Sequence, residues 1–217
     1  MHLKRSHLSR KLPLPKKGTK YIARANSNSQ EGLPVVVAVR DMLKLAKTSK
    51  EVQFMINNKL LKINGKDVKN VKESLVLFNI FEADKSYELG ILPTGRYTFE
   101  ETKAKNRICK VSGITNLKNK KIQLNLHDGT NVLISPKEKV KVGDSIEMDF
   151  EGKLNKVLPL EKGKKVTIVS GKNVGLHGKV QAVEGSKVKI KFDEIEKEVE
   201  LDKSHIFVRW ILWELQR

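Results

Sequence analysis

Cysteine is almost absent from this chain, and aromatic residues make up only 6% of its 217 positions. A lone Cys109 allows no internal disulfide and no cysteine metal cluster, which suits a reducing compartment. The five histidines, His2, His7, His127, His177 and His205, are scattered without ligand spacing, so no metal and no cofactor is expected. No uninterrupted apolar run reaches the roughly 18 residues of a membrane span, and the sequence predicts a soluble protein. Acidic residues are scarce too: 25 stand against 43 Lys and Arg, a formal charge of +18. Such an excess gives affinity for polyanions whatever their sequence. Hydrophobic residues form 39% of the chain, which is enough for real cores and excludes a purely disordered basic tail. The length fits one or two ordinary domains or three small ones.

The charge is unevenly spread. Residues 1–40 carry a net +8, residues 41–92 +2, residues 93–160 +5 and residues 161–217 +3. Within the first thirty residues Lys4, Arg5, Arg10, Lys11, Lys16, Lys17, Lys20 and Arg24 occur with no acid among them, interrupted by Pro13, Pro15 and Gly18. Such a segment buries little against itself and is expected to stay extended until it meets a partner. It lacks the apolar stretch of a secretory signal, and its prolines break the amphipathic helix of a transit peptide. Contact with RNA or DNA is the favoured reading of the segment.

Leu33 to Ala46 places Val35, Val36, Val39, Met42, Leu43 and Ala46 at helical spacing, with Pro34 near the first turn. Arg40, Lys44 and Lys47 then fall on one basic face, weakened by the adjacent Asp41. Thr48 followed by Glu51 is a capping-box pattern, predicting a second helix from Ser49 to Asn57 or Asn58. Leu60–Ile63, Asn64-Gly65 and Lys66–Val68 read as a tight hairpin, because Asn-Gly supplies the positive φ angles of a type I′ turn. On the residues alone, this unit is either a small subdomain with a solvated lysine face or an RNA-contacting one.

From about Arg107 the pattern alternates with regular turn signals and predicts short strands forming a small barrel. Gln123–Ser135 is a hairpin around Asp128-Gly129, Lys141–Ile146 is a turn into a strand, and Lys153–Leu160 is a further strand. Lys118, Lys120 and Lys121 crowd the loop before the hairpin, and Lys137, Lys139 and Lys141 alternate nearby. Solvated surface and phosphate contact both fit these clusters. In Lys164–Val180 an alternating run leads into a loop with Gly171, Gly175 and Gly178, whose frame is not that of a nucleotide-binding loop. Val188, Ile190 and Phe192 continue the apolar side, whereas Glu194, Glu196, Glu198 and Glu200 form an acidic edge expected to face away from phosphate. Ile206–Leu215, with Trp210 and Trp213, is read as a strand or short helix packed on the barrel or on another protein, in preference to a base-stacking platform.

Arg40–Leu43, Ala46–Val52 and Lys62–Lys66 together resemble the alpha-L RNA-binding motif found in a bacterial small-subunit ribosomal protein, pseudouridine synthases and tyrosyl-tRNA synthetases. That resemblance implies RNA contacts by Arg40, Lys44, Lys47, Lys50, Lys62, Asn64 and Lys66. Lys164–Val180 resembles a KOW motif, the small β-barrel of ribosomal proteins and transcription elongation factors; Lys172, Asn173, Gly175 and Lys179 are its candidate contacts. In this order, with Leu126–Asn131 and Lys141–Ser145 between them, the segments resemble the S-four-e family of archaeal and eukaryotic small-subunit ribosomal proteins. Asn64 replaces the usual aspartate of the hairpin, Ser74–Glu82 lacks the expected Gly-Phe-Met-Asp pattern, and the Trp210/Trp213 terminus has no counterpart, so the chain reads as a divergent, archaeal-type member.

The resemblance implies an α+β, multi-domain fold: a basic N-terminal extension (1–32), a helical and hairpin alpha-L domain (33–100), a central β domain (101–160) and a KOW, SH3-like barrel (161–217). It also implies a non-catalytic ribosomal constituent, located on cytoplasmic ribosomes in one copy per subunit. Its partners would be small-subunit ribosomal RNA and neighbouring ribosomal proteins, with no membrane and no small-molecule substrate. The alternatives are a KOW-containing elongation factor or RNA chaperone, which would not need the basic arm joined to an alpha-L unit, and an accessory part of an RNA-modifying enzyme. Against an enzyme, Cys109 has no sequence neighbour to activate it, and its alternating setting reads as a buried structural thiol. Removing residues 1–30 is expected to flatten the salt dependence of RNA binding and leave the rest folded.

Overall fold

The basic stretch at the start of the chain is closed on itself. In this computed structural model, β1 (Leu3–Lys4) pairs antiparallel with β2 (Tyr21–Ile22), Leu3 opposite Ile22 and Lys4 opposite Tyr21. The structure describes residues 2–29, 31–118, 121–135, 138–192 and 198–209, and it divides into two units, Met1–Arg107 and Ile108–Arg217. Arg5 holds the loop between the two strands. Its Nε donates to the Thr19 carbonyl at 2.7 Å, Nη1 to the Pro15 carbonyl at 2.6 Å and Nη2 to Thr19 Oγ1 at 2.9 Å. Gly18, at φ +138°, lies so close that a Cβ would stand 3.1 Å from the guanidinium, which is why glycine suits this turn. Leu12 and Ala25 are buried. The Tyr97 N–H donates to the Lys11 carbonyl at 2.8 Å, and its hydroxyl donates to the Glu31 carbonyl at 2.7 Å. The expectation of an arm that is extended until bound is therefore corrected. One guanidinium satisfies the loop carbonyls, and a few apolar side chains suffice to anchor it.

The first helix is shorter than its periodicity implies. Pro34 is extended, because β3 (Leu33–Pro34) pairs with β6 (Ser74–Leu75). Helix α1 (Val35–Val37) then widens into a π turn over Ala38–Met42, with the Leu43 N–H bonded to the Ala38 carbonyl. Lys44 ends it at φ +58°, and the Leu45 N–H returns to the Val39 carbonyl at 3.0 Å, a Schellman-type closure. Val35 to Val39 are buried on every side, so this is a core segment and not an amphipathic surface helix. Helix α2 (Ser49–Asn57) has the anticipated cap: Thr48 Oγ1 accepts the Glu51 N–H at 3.3 Å, while Glu51 Oε2 accepts the Lys47 N–H at 2.7 Å. The Lys47 N–H bond first, and then hydrogen bonding from Thr48 to the carboxylate, hold the Glu51 carboxyl below its ordinary pKa. Its buried side is Val52 and Ile56.

β4 (Lys62–Ile63) and β5 (Lys66–Asp67) form the predicted hairpin, with Asn64 at φ +50° and Gly65 at φ +76°. With β7 (Ile80–Glu82), β8 (Ser86–Ile91) and β9 (Tyr97–Glu101) they make an antiparallel sheet in the order β5-β4-β7-β8-β9.

In the second unit the antiparallel order β12-β11-β10-β13-β14 joins β10 (Asn106–Asn116), β11 (Ile122–Leu126), β12 (Asn131–Ile134), β13 (Ser145–Asp149) and β14 (Leu154–Leu158). Its core is Cys109, Val111, Leu124, Leu126, Ile134, Ile146 and Met148. Asp144 ties the turn before β13 to the end of the following hairpin: Oδ2 accepts the Lys141 N–H at 2.8 Å and Oδ1 the Leu160 N–H at 2.9 Å.

The last sheet, in the order β18-β17-β16-β15-β19, contains β15 (Lys165–Ile168), β16 (His177–Glu184), β17 (Lys187–Phe192), β18 (Glu198–Asp202) and β19 (Ile206–Val208). Leu160, Val166, Val180, Val188, Ile190, Ile206 and Val208 form its core. Burying one such side chain contributes about 1.5–3 kcal/mol, against about 0–1 kcal/mol for an exposed ion pair. The two apolar sets therefore dominate the stability of this unit. The fold is thus mostly β with few helices, built from several antiparallel sheets. Trp210 and Trp213, like Glu194, Glu196 and Lys137, lie outside the described residues.

Gly178 sits at a tight point between β16 and β17, where a Cβ would stand 2.5 Å from the Lys191 carbonyl oxygen and 2.8 Å from Ile190 Cγ2. Backbone cannot yield there cheaply. Gly178→Ala should destabilise the second unit by about 1–3 kcal/mol in urea denaturation; an unchanged midpoint would show that the strands have slack at this position.

Candidate nucleic-acid interface

The structure separates the candidate cations into those turned outward and those used internally. In the first unit Lys4, Arg10, Lys16, Lys17 and Lys20 are exposed. Lys4 and Arg24 share a cavity of about 610 Å³ with His2, His7, Ser9 and Ser29. Lys20 Nζ lies 5.5 Å from the centroid of the Tyr21 ring, against which His2 stands edge-on at 4.7 Å. Arg5 is committed to the loop closure described above, and Lys11 Nζ pairs with Glu31 Oε1 at 2.5 Å. Both therefore hold the arm together, in place of the purely external role the sequence suggested.

The basic face expected of Arg40, Lys44 and Lys47 does not form. The helix ends before Lys44, and Lys47 lies beyond it in the segment leading to the next cap. Arg40 makes a bidentate pair with Asp41, Nη2 to Oδ2 at 2.7 Å and Nε to Oδ1 at 3.1 Å, and this hydrogen bonding raises its already high pKa. Lys44, Lys47, Lys50 and Lys66 remain exposed, and Lys62 is half-buried. Asn64 is buried. Its Oδ1 accepts the Ile80 N–H at 2.9 Å, so it pins the hairpin to β7, where the sequence suggested an RNA contact. An aspartate carboxylate would accept the same bond, so the hairpin needs an acceptor here and not a particular charge.

Lys118 and Lys121 are exposed beside a turn in which the Leu117 N–H bonds to the Lys121 carbonyl at 2.8 Å; Lys120 lies outside the described residues. In the loop between β15 and β16 Lys172 is exposed and Asn173 half-buried. Gly175, at φ +82°, is buried, and its N–H donates to the Ile168 carbonyl at 2.7 Å, so it closes the loop instead of approaching a ligand. Lys179 is exposed on β16 in a setting that local spacing did not reveal. It lies directly opposite Lys165 of β15 on one side and Lys191 of β17 on the other. Glu198 of β18 follows Lys191 in the same row. The alternation of Lys187, Lys189 and Lys191 along β17 was visible in the sequence, but their cross-strand partners were not. The acidic strand does not simply turn away from the basic one: Lys187 Nζ pairs with Glu200 at 3.4 Å, while Lys189 Nζ pairs with Glu184 of β16 at 2.7 Å.

Cys109, His127 and Asp128 come within 4.8 Å of one another, a grouping hidden by their separation in sequence. Cys109 is buried at 1% exposure, with Sγ 3.9 Å from Asp128 Oδ2. Asp128 Oδ1 accepts from both the Thr130 N–H and its hydroxyl. His127 Nδ1 accepts the Lys110 N–H at 3.2 Å, and the ring stands edge-on to Phe207 at 5.2 Å. A cation on Nδ1 would displace that hydrogen bond, and one on Nε2 would require the proton to move to Nδ1, which the same bond opposes. These residues are therefore read as a cross-link between strands, not as a metal or catalytic centre.

The fold and the exposed cations define a modular, mostly β protein with a strongly basic surface. Residues 83–154 match the model of the ribosomal family S4e. A small ribosomal subunit protein eS4 of Methanocella arvoryzae is 31% identical over 189 residues, covering 84% of this chain and 80% of that protein. One from Methanospirillum hungatei is 29% identical over 191 residues, covering 82% and 78%. The crystal structure of the 30S ribosomal protein S4e from Thermoplasma acidophilum superposes with a TM-score of 0.69 at 26% identity, over 82% of this chain and 94% of that one. The chain belongs to the S4e family of ribosomal proteins. Among the described residues no helix is long and apolar enough to cross a membrane.

Lys110 supplies a titratable contact within the second unit. Its Nζ donates to the carbonyls of Lys203 and Ser204, each at 2.7 Å, and burial pushes its pKa down to about 8. Below about pH 8 the folded chain bears the full desolvation cost of the ammonium, and this cost is relieved as pH rises toward the unfolded value of 10.5. Between pH 7.5 and 9.5 the wild type should gain up to about 2 kcal/mol of unfolding free energy relative to Lys110→Met. A pH-independent gap between the two would show that Lys110 titrates normally in the folded protein.

Proposed function

We propose that this protein is a structural constituent of the small ribosomal subunit and binds its ribosomal RNA without catalysing a reaction. The observation that carries this reading is the similarity, over most of both chains, to proteins named small ribosomal subunit protein eS4. On this reading it works on cytoplasmic ribosomes, with ribosomal RNA and neighbouring ribosomal proteins as partners, and supports subunit assembly and translation. Residues 1–32 act as a basic arm, 33–100 as an alpha-L unit, 101–160 as a central β module and 161–217 as a KOW barrel. α2 with its capping box and the Asn64-Gly65 hairpin support the second assignment; the glycine-bearing loop between β15 and β16 supports the fourth.

Recognition is electrostatic and by shape, since folded RNA offers phosphates and a surface more readily than base edges. The proposed contacts are the exposed Lys4, Arg10, Lys16, Lys17 and Lys20 of the arm with the half-buried Arg24, then Lys44, Lys47, Lys50, Lys62 and Lys66. Lys118, Lys121, Lys172, Asn173 and Lys179 complete the set. Arg5, Lys11, Arg40, Asn64 and Gly175 serve the protein's own structure, which presents the others.

The protein should co-sediment with small ribosomal subunits through a high-salt wash; recovery with RNA polymerase instead would favour an elongation factor. Changing Lys4, Lys16, Lys17 and Lys20 together to Gln should weaken binding to a small-subunit rRNA transcript and lower the log–log salt slope by about 4. Point changes are the appropriate test, because deleting residues 1–30 would also remove buried Leu12 and Ala25. An unchanged slope would remove the arm from the interface.

A further inference from the structure

We infer that the cavity of about 610 Å³ in the basic arm takes one unpaired RNA nucleotide, its phosphate met by Lys4 and Arg24 and its base enclosed against an apolar wall. The inference rests on the rRNA-binding reading above and adds what the arm holds: a single extruded nucleotide, beyond contact along the backbone. Three stretches of the arm build the cavity: His2 to Lys4, His7 to Leu12 and Arg24 to Ser29. Each is fixed by backbone bonding. The first pairs with β2, and in the second the Leu8 and Leu12 N–H groups bond to the Arg5 and Ser9 carbonyls, both at 3.2 Å. In the third the Asn26 N–H bonds to the Lys72 carbonyl at 2.9 Å, and the Asn28 carbonyl accepts the Gly32 N–H at 2.6 Å. The cavity is thus formed before a ligand arrives, which lowers the ordering cost of binding.

The lining matches a nucleotide part by part. Exposed Lys4 and half-buried Arg24 supply two cations, and the arm has no acid to neutralise them: Glu31, the only acid in residues 1–40, is paired with Lys11. A guanidinium takes phosphate oxygens two at a time, and the ammonium adds a point charge. Leu3 and the buried Leu12 give an apolar wall for a base or ribose. His2 and His7 bring exposed rings, and a neutral imidazole offers one donor and one acceptor; Ser9 and Ser29 add hydroxyls. Base edges and a 2′-OH therefore find partners of both kinds. His2 also stands edge-on to Tyr21, which is 47% exposed, so an aromatic surface adjoins the cavity. The volume lies within the roughly 300–1,000 Å³ of sites for organic ligands, and a bare phosphate would leave most of it empty. Unpaired nucleotides are the part of a folded RNA that can be splayed out and enclosed in this way.

The test fills the cavity without touching its charge. Ser29→Trp does so from an exposed position, and Ser27→Trp, exposed and outside the cavity, is the control. Ser29→Trp should weaken binding to a small-subunit rRNA transcript roughly tenfold, while Ser27→Trp stays within about twofold of wild type. In the wild-type complex, ultraviolet cross-linking followed by mass spectrometry should join one unpaired rRNA base to a residue of the cavity, a readout that does not depend on any variant folding. A folded Ser29→Trp with unchanged transcript affinity would overturn the nucleotide site, and its loss from small subunits would then mark a protein segment as the occupant. Base cross-links confined to peptides outside the cavity would overturn the site as well; both results leave the rRNA-binding function standing. Failure of the wild type to bind the transcript would overturn both.

Discussion

A strand turns successive side chains to opposite faces, and this period of two governs where a heavily basic chain can keep its charge. The two five-stranded sheets of the second unit are small, and each buries one face on a short list of mostly aliphatic residues. Lysines interleaved with those residues are thereby driven to the other face. Val188, Ile190 and Phe192 go inward on β17, so Lys187, Lys189 and Lys191 go outward together. Once pairing is set, outward lysines on neighbouring strands stand in rows, and the electrostatics of the surface follows from the register. β18 places an acid opposite each of these lysines, and β16 and β15 add Lys179 and Lys165 on the other side of Lys191.

Charge that composition counts as one quantity is divided by the fold into two kinds. Arg5, Lys11, Arg40 and Lys110 are occupied inside the protein, closing a loop, pairing a carboxylate or holding carbonyls across a buried contact. A guanidinium is well suited to the first task because its fixed fork satisfies several carbonyls at once. The lysines of the arm at positions 4, 16, 17 and 20 are exposed. The closed loop keeps them in a defined arrangement, which lowers the ordering cost of meeting any partner surface compared with a free tail.

The departures from the family pattern are absorbed locally. Asn64 keeps both the left-handed turn and the acceptor for the Ile80 N–H. Ser74–Glu82 contains Phe78 at φ +66° within a run of buried residues from Leu75 to Phe81, an unusual backbone for a bulky side chain held in place by tight surroundings. Such changes leave the antiparallel frame intact, in keeping with the superposition on the Thermoplasma acidophilum structure.

Much of the local structure was legible in the sequence. The Thr48/Glu51 cap, the Asn64-Gly65 turn, the Asp128-Gly129 hairpin and the strands around the glycine-bearing loop all have short-range causes. Periodicity failed at Leu33–Ala46, because Pro34 joined a strand pair with Ser74 and a π turn followed; both depend on packing from distant segments. It also failed for the basic arm, whose composition resembles a disordered tail although Arg5 and a few apolar residues fold it. By itself the sequence determined the polyanion-seeking charge, the alternating strands and turns, and the family. Only the tertiary structure decided that Lys179 stands between Lys165 and Lys191, that Cys109 meets His127 and Asp128, and that Lys110 is buried beneath two carbonyls. Each of these depends on the register between strands remote in sequence, which is set by how whole apolar faces close on one another and is written in no local pattern.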